Sequence, residues 1–337
     1  MMKYTENALN VLTAKSYRGI GNAWIVRNLS HNEDVETIVS RLNRKNEQEP
    51  TSVEAFMELR QKYESAILNK LHGYCDGFVA LGDKDFPQHR GRVSDGKRPV
   101  FLYYRGDIRL LDTANTNISV IGLLNPSEQV ETRERQLVSQ LVKSGATIVS
   151  GLALGCDSIA HEEALASGGK TIAILPSPLT DILPTSNRSL ASQIVEKGGL
   201  LVTEYGNGFR SKMELNTRYN ERDRLQALFC DAIVLAASYS RDSSDLWKDL
   251  ADQKLDSGAR LAMGFAKEFN IPRAVMYDRV RDAEDPMYDL SREIIQESPG
   301  IMVITPDNIA DSAKQLTSIG ETAGKPLRAP GLPFEDN

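Results

Sequence analysis

Cysteine is scarce in this chain of 337 residues. Cys75, Cys156 and Cys230 lie far apart, with no CxxC pair and no Cys/His metal-ligand spacing. A disulfide framework and a zinc site are therefore not expected, and a reducing cytoplasm is the simplest home. Long hydrophobic runs are missing too. The longest apolar stretches, such as Ala232 to Ala237, are far shorter than the ~20 residues a membrane-spanning helix needs. The start, MMKYTENALNVL, lacks a basic segment followed by an apolar one, so no secretion signal is expected. Nor is positive charge in excess: 40 Lys and Arg stand against 46 Asp and Glu, a net charge of −6. That argues against a protein coated in basic surface but says nothing of local patches. What is present, 41% hydrophobic and 26% charged residues, fits a soluble globular protein with a sizeable core and more than one ordinary domain of length.

Two basic patches do occur. Lys84 to Arg109 holds seven Lys or Arg (Lys84, Arg90, Arg92, Lys97, Arg98, Arg105, Arg109) against three Asp, and Arg210 to Arg224 holds five basic residues against three acidic ones. A solvated charged face is the ordinary meaning of such clusters. Residues 1 to 75 read as a small helical domain, with apolar positions at helical spacing in Val53, Phe56, Met57 and Leu59. Gly19-Ile20-Gly21 ahead of Trp24, Ile25, Val26 and Leu29 has the form of a helix-hairpin-helix turn, though an ordinary interhelix turn has the same residues. Residues 76 to 110 read as a Gly-, Pro- and charge-rich connector ending in one strand.

From about 116, strands alternate with helices, which predicts right-handed crossovers and a parallel sheet covered on both faces. The expected fold is α/β, an extended Rossmann-like domain over residues 76–315. The last residues, 316–337, are rich in Gly and Pro and read as a flexible tail.

Parallel sheets bind ligands at the carboxyl ends of their strands. There stand Gly122, Ser150-Gly151 and Gly155, in the stretch "SGLALGCDSIAHEEALASGG". Glycines let an anion approach the backbone, and Ser150 offers a hydroxyl. The spacing is GxxxGxD, neither a dinucleotide fingerprint nor a P-loop, and no cofactor or metal follows from it. Asp157 suits an N-cap, and His161, one turn later, can face it. Read as chemistry, the pair is an acid/base couple; read as structure, it ties the turn together. In "RYNERDR", Tyr219 suits stacking on a base, and Arg222 and Arg224 suit phosphate neutralisation in a single-strand binder.

Together these pieces resemble the DNA-processing protein A (DprA, or Smf) family, whose core reads SGLARGID…AH…AL…GG followed by a TIAVLG strand. Here the chain reads "SGLALGCDSIAHEEALASGGKTIAILPSPLTDILPTSNRSL", then "GGLLVTEY" from Gly198 and "YNERDRLQALFCDAIVLAAS" from Tyr219. Upstream, "DFPQHRGRVSDGKRPVFLYYRGD" is similar to the family's lead-in. The resemblance spans about 80 to 278. It implies a cytoplasmic, non-catalytic homodimer that binds single-stranded DNA in a basic pocket and helps load the RecA recombinase. It puts Tyr219 at the stacking aromatic, Arg222 and Arg224 at the two arginines of an RNR motif, Lys170 at the basic position before the TIAVL strand, and Gly122, Ser150, Gly151 and Gly155 at the glycine turns.

The chain departs from that pattern at the pocket. Leu124 stands where the family has the arginine of G[ST]R and Leu154 where it has that of GLARG. Asp223 replaces the Asn of RNR, Pro176 a glycine and Ala237 an acidic residue. Weakened, more salt-sensitive binding is the expectation from lost positive charge. Residues 239 to 258 are inserted, and Trp247 within them is a candidate partner contact or a staple onto the chain's own sheet. The winged helix that many relatives carry after the sheet domain is not expected here. Two other functions stay open: a regulatory or antitoxin-like part of a phage-defence or mobile-element module with a protein partner, and a nucleotide-cleaving enzyme of the lysine-decarboxylase-like group. The second is disfavoured, because "SGARLAMGFAKE" lacks that group's PGGxGTxxE turn.

Overall fold

The computed structural model describes residues 2–251, 255 and 258–323. Four helices come first: α1 (Glu6–Lys15), α2 (Asn22–Asn28), α3 (Val35–Lys45) and α4 (Val53–Leu71). Thr5, Asp34 and Ser52 precede α1, α3 and α4, and each side chain accepts a first-turn N–H, satisfying amides that no helical carbonyl reaches. α2 begins at Gly21 without a side-chain cap. Asn22 ties it to the Arg98 carbonyl at 2.9 Å, so the GIG turn joins two packed helices.

Among the described residues nine strands make one sheet: β1 (Gly77–Ala80), β2 (Phe101–Gly106), β3 (Asn117–Ile121), β4 (Thr147–Ser150), β5 (Thr171–Ile174), β6 (Leu200–Thr203), β7 (Ala232–Leu235), β8 (Arg273–Met276) and β9 (Met302–Ile304). Their spatial order is β1-β2-β6-β5-β4-β3-β7-β8-β9. Every pair from β6 to β9 is parallel, as the alternating pattern predicts. β1 and β2 are antiparallel additions at one edge, so the sheet is mixed. The connector thus supplies two strands where the sequence reading has one. Alternation in β2 explains its place: Phe101 and Tyr103 enter the core shared with the first helices, and Leu102 and Tyr104 enter the other.

That shared core joins the helical segment to the sheet. Leu9, Ile25 and Phe56 cluster with Phe78, Phe101, Ala173 and Leu201, Tyr4 stacks on Phe78 at 4.9 Å, and Lys3 bridges to Gly77. Residues 2–75 therefore form a helical layer packed on the sheet.

The later helices are α5 (Glu128–Lys143), α6 (Cys156–Ala166), α7 (Arg188–Glu196), α8 (Lys212–Leu228), α9 (Ser243–Leu246), α10 (Gly258–Glu268), α11 (Asp289–Glu297) and α12 (Ile309–Ala323). α12 buries Ala313 and Leu316 in the core. The helix therefore continues past residue 316, where the sequence reading starts the tail; residues 324–337 of that tail lie outside the described residues. From β3 the chain steps to β4, β5 and β6 on one side, then crosses back through α8 to β7, β8 and β9 on the other. The carboxyl ends of β3 and its neighbours therefore form the crevice of a topological switch point, where open α/β sheets hold ligands. α8, as the crossover, passes over it.

Candidate nucleic-acid interface

A cleft of about 590 Å³ opens at that crevice, within the ~300–1,000 Å³ of ordinary small-molecule sites. Gly122 and Leu124 after β3, Ala153 and Leu154 after β4, and Tyr219 and Gln226 of α8 line it. Leu124 and Leu154 are 46% and 47% exposed. Aliphatic side chains thus stand open to solvent at the two positions where the family pattern has arginine.

The glycine turn between β4 and α6 is held from inside. Asp157 is not the N-cap; that position is Gly155, at φ +69°, and Asp157 is the second residue of α6. Its carboxylate turns back to accept the N–H groups of Gly151 and Ala153, each at 3.2 Å, and an Arg222 bond at 3.1 Å. Asn187 donates to the carbonyls of Leu152 and Ala153 and to Ser158 Oγ. Leu152, fully buried, sits at φ +61°, a left-handed conformation that costs a non-glycine residue roughly 1–2 kcal/mol. The amides that an anion would take are thus already on an internal carboxylate, and the turn is not an open phosphate cradle.

The glycines serve close packing. A Cβ on Gly151 would stand 1.2 Å from Arg222 Nη1, one on Gly122 2.5 Å from Cys156 Sγ, and one on Gly155 2.3 Å from the Leu123 carbonyl oxygen. Ser150 offers no hydroxyl to a ligand, because it is buried and donates to the Val120 carbonyl at 2.8 Å. His161 does not meet Asp157 through a hydrogen bond. Its Nδ1 lies 2.6 Å from Thr171 Oγ1, which gives its own proton to the Ile148 carbonyl, so Nδ1–H is the donor. Burial pushes the His161 pKa down to about 4.

Of the basic residues assigned to the pocket, only Arg222 reaches it. Arg222 is buried, ion-paired to Asp157 at 3.1 Å and Asp223 at 3.2 Å, with its guanidinium 5.6 Å from the Tyr219 ring centre. Burial opposes its charge, but the Asp223 and Asp157 carboxylates outweigh that and raise its pKa. Arg224 lies on the other side of α8, buried against Glu204 at 2.5 Å and Glu221 at 3.3 Å, and it also donates to the Lys97 carbonyl. Residues two apart on a helix point about 200° apart, so the two arginines cannot meet one ligand. Lys170 is at the amino end of β5, opposite the cleft, where it donates to the Lys197 carbonyl at 2.7 Å. Among the described residues the cleft lining therefore carries one arginine and two aspartates, which is not a basic set.

Trp247 is half-buried and donates at 2.8 Å to Asp289 of α11, a helix rather than the sheet. In the wider basic patches four residues are ion-paired: Arg90 with Asp231, Lys97 with Glu268, Arg109 with Asp107 and Arg218 with Glu214. Gln226 as a cleft-lining polar group is missed by the sequence reading, which names Asp223 at the pocket. Its place seven residues after Tyr219 on the same helix is the signal that finds it. Among the described residues, no cluster of three or more His, Cys, Asp or Glu is placed to hold a metal ion.

The sequence profile of the family described as DNA recombination-mediator protein A matches residues 77–254. The chain belongs to that family. Protein Smf of Borreliella burgdorferi is 35% identical over 155 residues, which are 46% of this chain and 47% of that protein. DNA processing protein DprA of Streptococcus pneumoniae is 28% identical over 256 residues, 76% of this chain and 81% of that one. The chain thus spans just under half the length of the Smf relative. The crystal structure of the S. pneumoniae DprA overlays with a TM-score of 0.64 at 23% identity, covering 92% of this chain and 98% of that one, which establishes the shared fold. DprA of Helicobacter pylori, solved for its unique single-stranded DNA binding mode, has a TM-score of 0.52 at 26% identity and covers 70% of this chain and 99% of that one. Among the described residues no helix is long and apolar enough to cross a membrane.

Proposed function

We propose that this chain binds single-stranded DNA and acts in DNA recombination as a non-catalytic, cytoplasmic homodimer, with RecA as the protein partner expected of its family. The observation that carries the reading is the placement of Tyr219: half-buried on the wall of the switch-point cleft, beside two open leucines, where a splayed base can stack. Base–aromatic stacking tolerates any sequence and contributes ~1–3 kcal/mol per base. Because the one arginine of the cleft among the described residues is already held by two carboxylates, contact with the strand runs through bases more than phosphates. On this reading the expectation of more salt-sensitive binding gives way to another. Fewer neutralised phosphates release fewer counterions, so affinity drops in absolute terms while its dependence on salt becomes shallower.

Fluorescence anisotropy of a labelled oligo-dT strand, with duplex of the same length as control, tests this. Strand-selective binding that Tyr219→Ala weakens supports the reading. Equal affinity for duplex, or binding indifferent to Tyr219, removes it. The apolar rim favours one second reading: Leu124 and Leu154 as contacts for a protein partner of a regulatory module. A chain that ignores DNA yet forms a complex with the product of a neighbouring gene, lost in Leu154→Glu, is the outcome that reading predicts.

A further inference from the structure

The cleft's arginine is held by two carboxylates, but the helix that carries it has a second cation on the same face. An α-helix turns ~100° per residue, so residues seven apart are offset by only ~20°. Lys212, Tyr219 and Gln226 stand in that relation on α8, with Asn216 and Asp223 between them on the same side. Asn216, Tyr219, Asp223 and Gln226 all line the cleft. Lys212 continues their stripe one turn past Asn216, about 10 Å along the axis from Tyr219 at ~1.5 Å per residue.

Lys212 differs from the other basic residues of α8 in being uncommitted. Arg218, Arg222 and Arg224 are buried and ion-paired. Lys212 is exposed, and among the described residues no carboxylate lies within ion-pair distance of it. The acids of its own helix are engaged elsewhere. Glu214, two residues on from Lys212, and Glu221, two on from Tyr219, are each turned ~200° away, where they meet Arg218 and Arg224. Asp223, which does share the face, is held by Arg222 at 3.2 Å. The stripe thus runs from a stacking aromatic to an ammonium on a flexible four-carbon stem, the two contacts a nucleotide strand offers through base and phosphate.

Resting on the single-strand reading above, we propose that Lys212 is the phosphate contact of the bound strand. The base on Tyr219 anchors the strand in the cleft, and its backbone leaves along α8, past Asn216, to the Lys212 ammonium. The contact reads charge and no base edge, so it adds affinity without sequence preference. One neutralised phosphate gives a salt slope of about −0.7 for a single strand, and that slope belongs to Lys212 rather than to the buried arginines.

The test is a salt titration of oligo-dT binding, read by anisotropy, on the wild type, Lys212→Gln, Lys212→Arg and Lys314→Gln. Lys314 is an exposed lysine of α12, and its substitution removes the same charge from another surface. Wild-type affinity is expected to fall about fivefold for a tenfold rise in salt, which is the slope of −0.7. Lys212→Gln is expected to bind more weakly at low salt and with almost no salt dependence, while Lys212→Arg and Lys314→Gln keep the wild-type slope. An oligo-dT strand with uncharged methylphosphonate linkages is expected to bind the wild type and Lys212→Gln alike. A wild-type slope in Lys212→Gln, or equal flattening by Lys314→Gln, overturns the proposal. If Tyr219→Ala still weakens binding in that case, the single-strand reading stands without it. No binding of any strand by the wild type removes both.

Discussion

The two sides of α8 carry the same residue types and do different work. One side brings Tyr219, Arg222, Asp223 and Gln226 to the switch-point cleft. The other turns Arg218 and Arg224 toward Glu214, Glu204 and Glu221, with Arg218 stacked 4.2 Å from the Tyr205 ring. There the helix is locked to the end of β6 and, through the Lys97 carbonyl, to the loop before β2. Arginine on the first side surrounds a cavity; on the second it closes an internal ion network. A basic run in a sequence is therefore two surfaces once wound into a helix, and only one of them can meet a given ligand.

Breaking each side separately sharpens the contrast, and the largest effect belongs to the carboxylate that supports the cleft. Asp157→Ala leaves Arg222 buried without its partner and frees two amides, and loss of one member of a buried pair costs about 3–5 kcal/mol. Urea unfolding is expected to show that shift, with an unchanged m-value. Arg224→Ala on the opposite side is expected to cost about as much by stranding Glu204. In the protein that remains folded, oligo-dT affinity should stay within twofold of wild type. A tenfold loss there would put Arg224 back at the DNA.

Acid should act between these extremes. His161 is neutral in the fold, with its pKa depressed to about 4 from 6.5, so the unfolded chain binds the extra proton between those values. Stability is therefore full above pH ~6.5 and falls as pH drops toward 4, by about 3 kcal/mol from this group. His161→Asn, measured by thermal melts across that range, is expected to flatten the loss. Glu134 works in the opposite sense. It is fully buried, and burial raises its pKa well above the usual carboxylate range, against a lesser opposing pull from the Cys156 thiol. The unfolded chain loses that proton first, so stability declines as pH rises above the unfolded pKa of ~4.5. Glu134→Gln is expected to stabilise the protein at neutral pH relative to acid.

The smallest expected change is a gain. Leu124→Arg or Leu154→Arg places an uncommitted cation on the rim, and each added phosphate contact should steepen the salt slope for a single strand by about 0.7. Stability should hardly move, because both positions are open to solvent.

The parallel sheet and its helices were legible because buried β-branched runs, glycine stops and caps recur with regular spacing. The edge strand β1 was not: four residues, Gly77 to Ala80, follow a helix and precede a polar loop, and their pairing with β2 is a tertiary matter. At the site, the aromatic and Arg222 were placed by pattern, and the departures at Leu124 and Leu154 were visible as residues. What pattern did not carry was the commitment of charge. Nothing local says that Asp157 folds back on Gly151 and Ala153, or that Lys170 lies at the amino end of its strand. The opposite facing of Arg222 and Arg224 was within reach, since a two-residue step on a helix already separates them.

The central claim is that the Tyr219 side of α8 holds a single strand through its bases. The salt dependence of oligo-dT binding tests it most directly. The account predicts a plot of log Kobs against log salt with a slope no steeper than about −0.7, the value for one neutralised phosphate, together with clear weakening in Tyr219→Ala. A slope steeper than about −2, meaning three or more phosphates, with Tyr219→Ala binding as well as wild type, would contradict it.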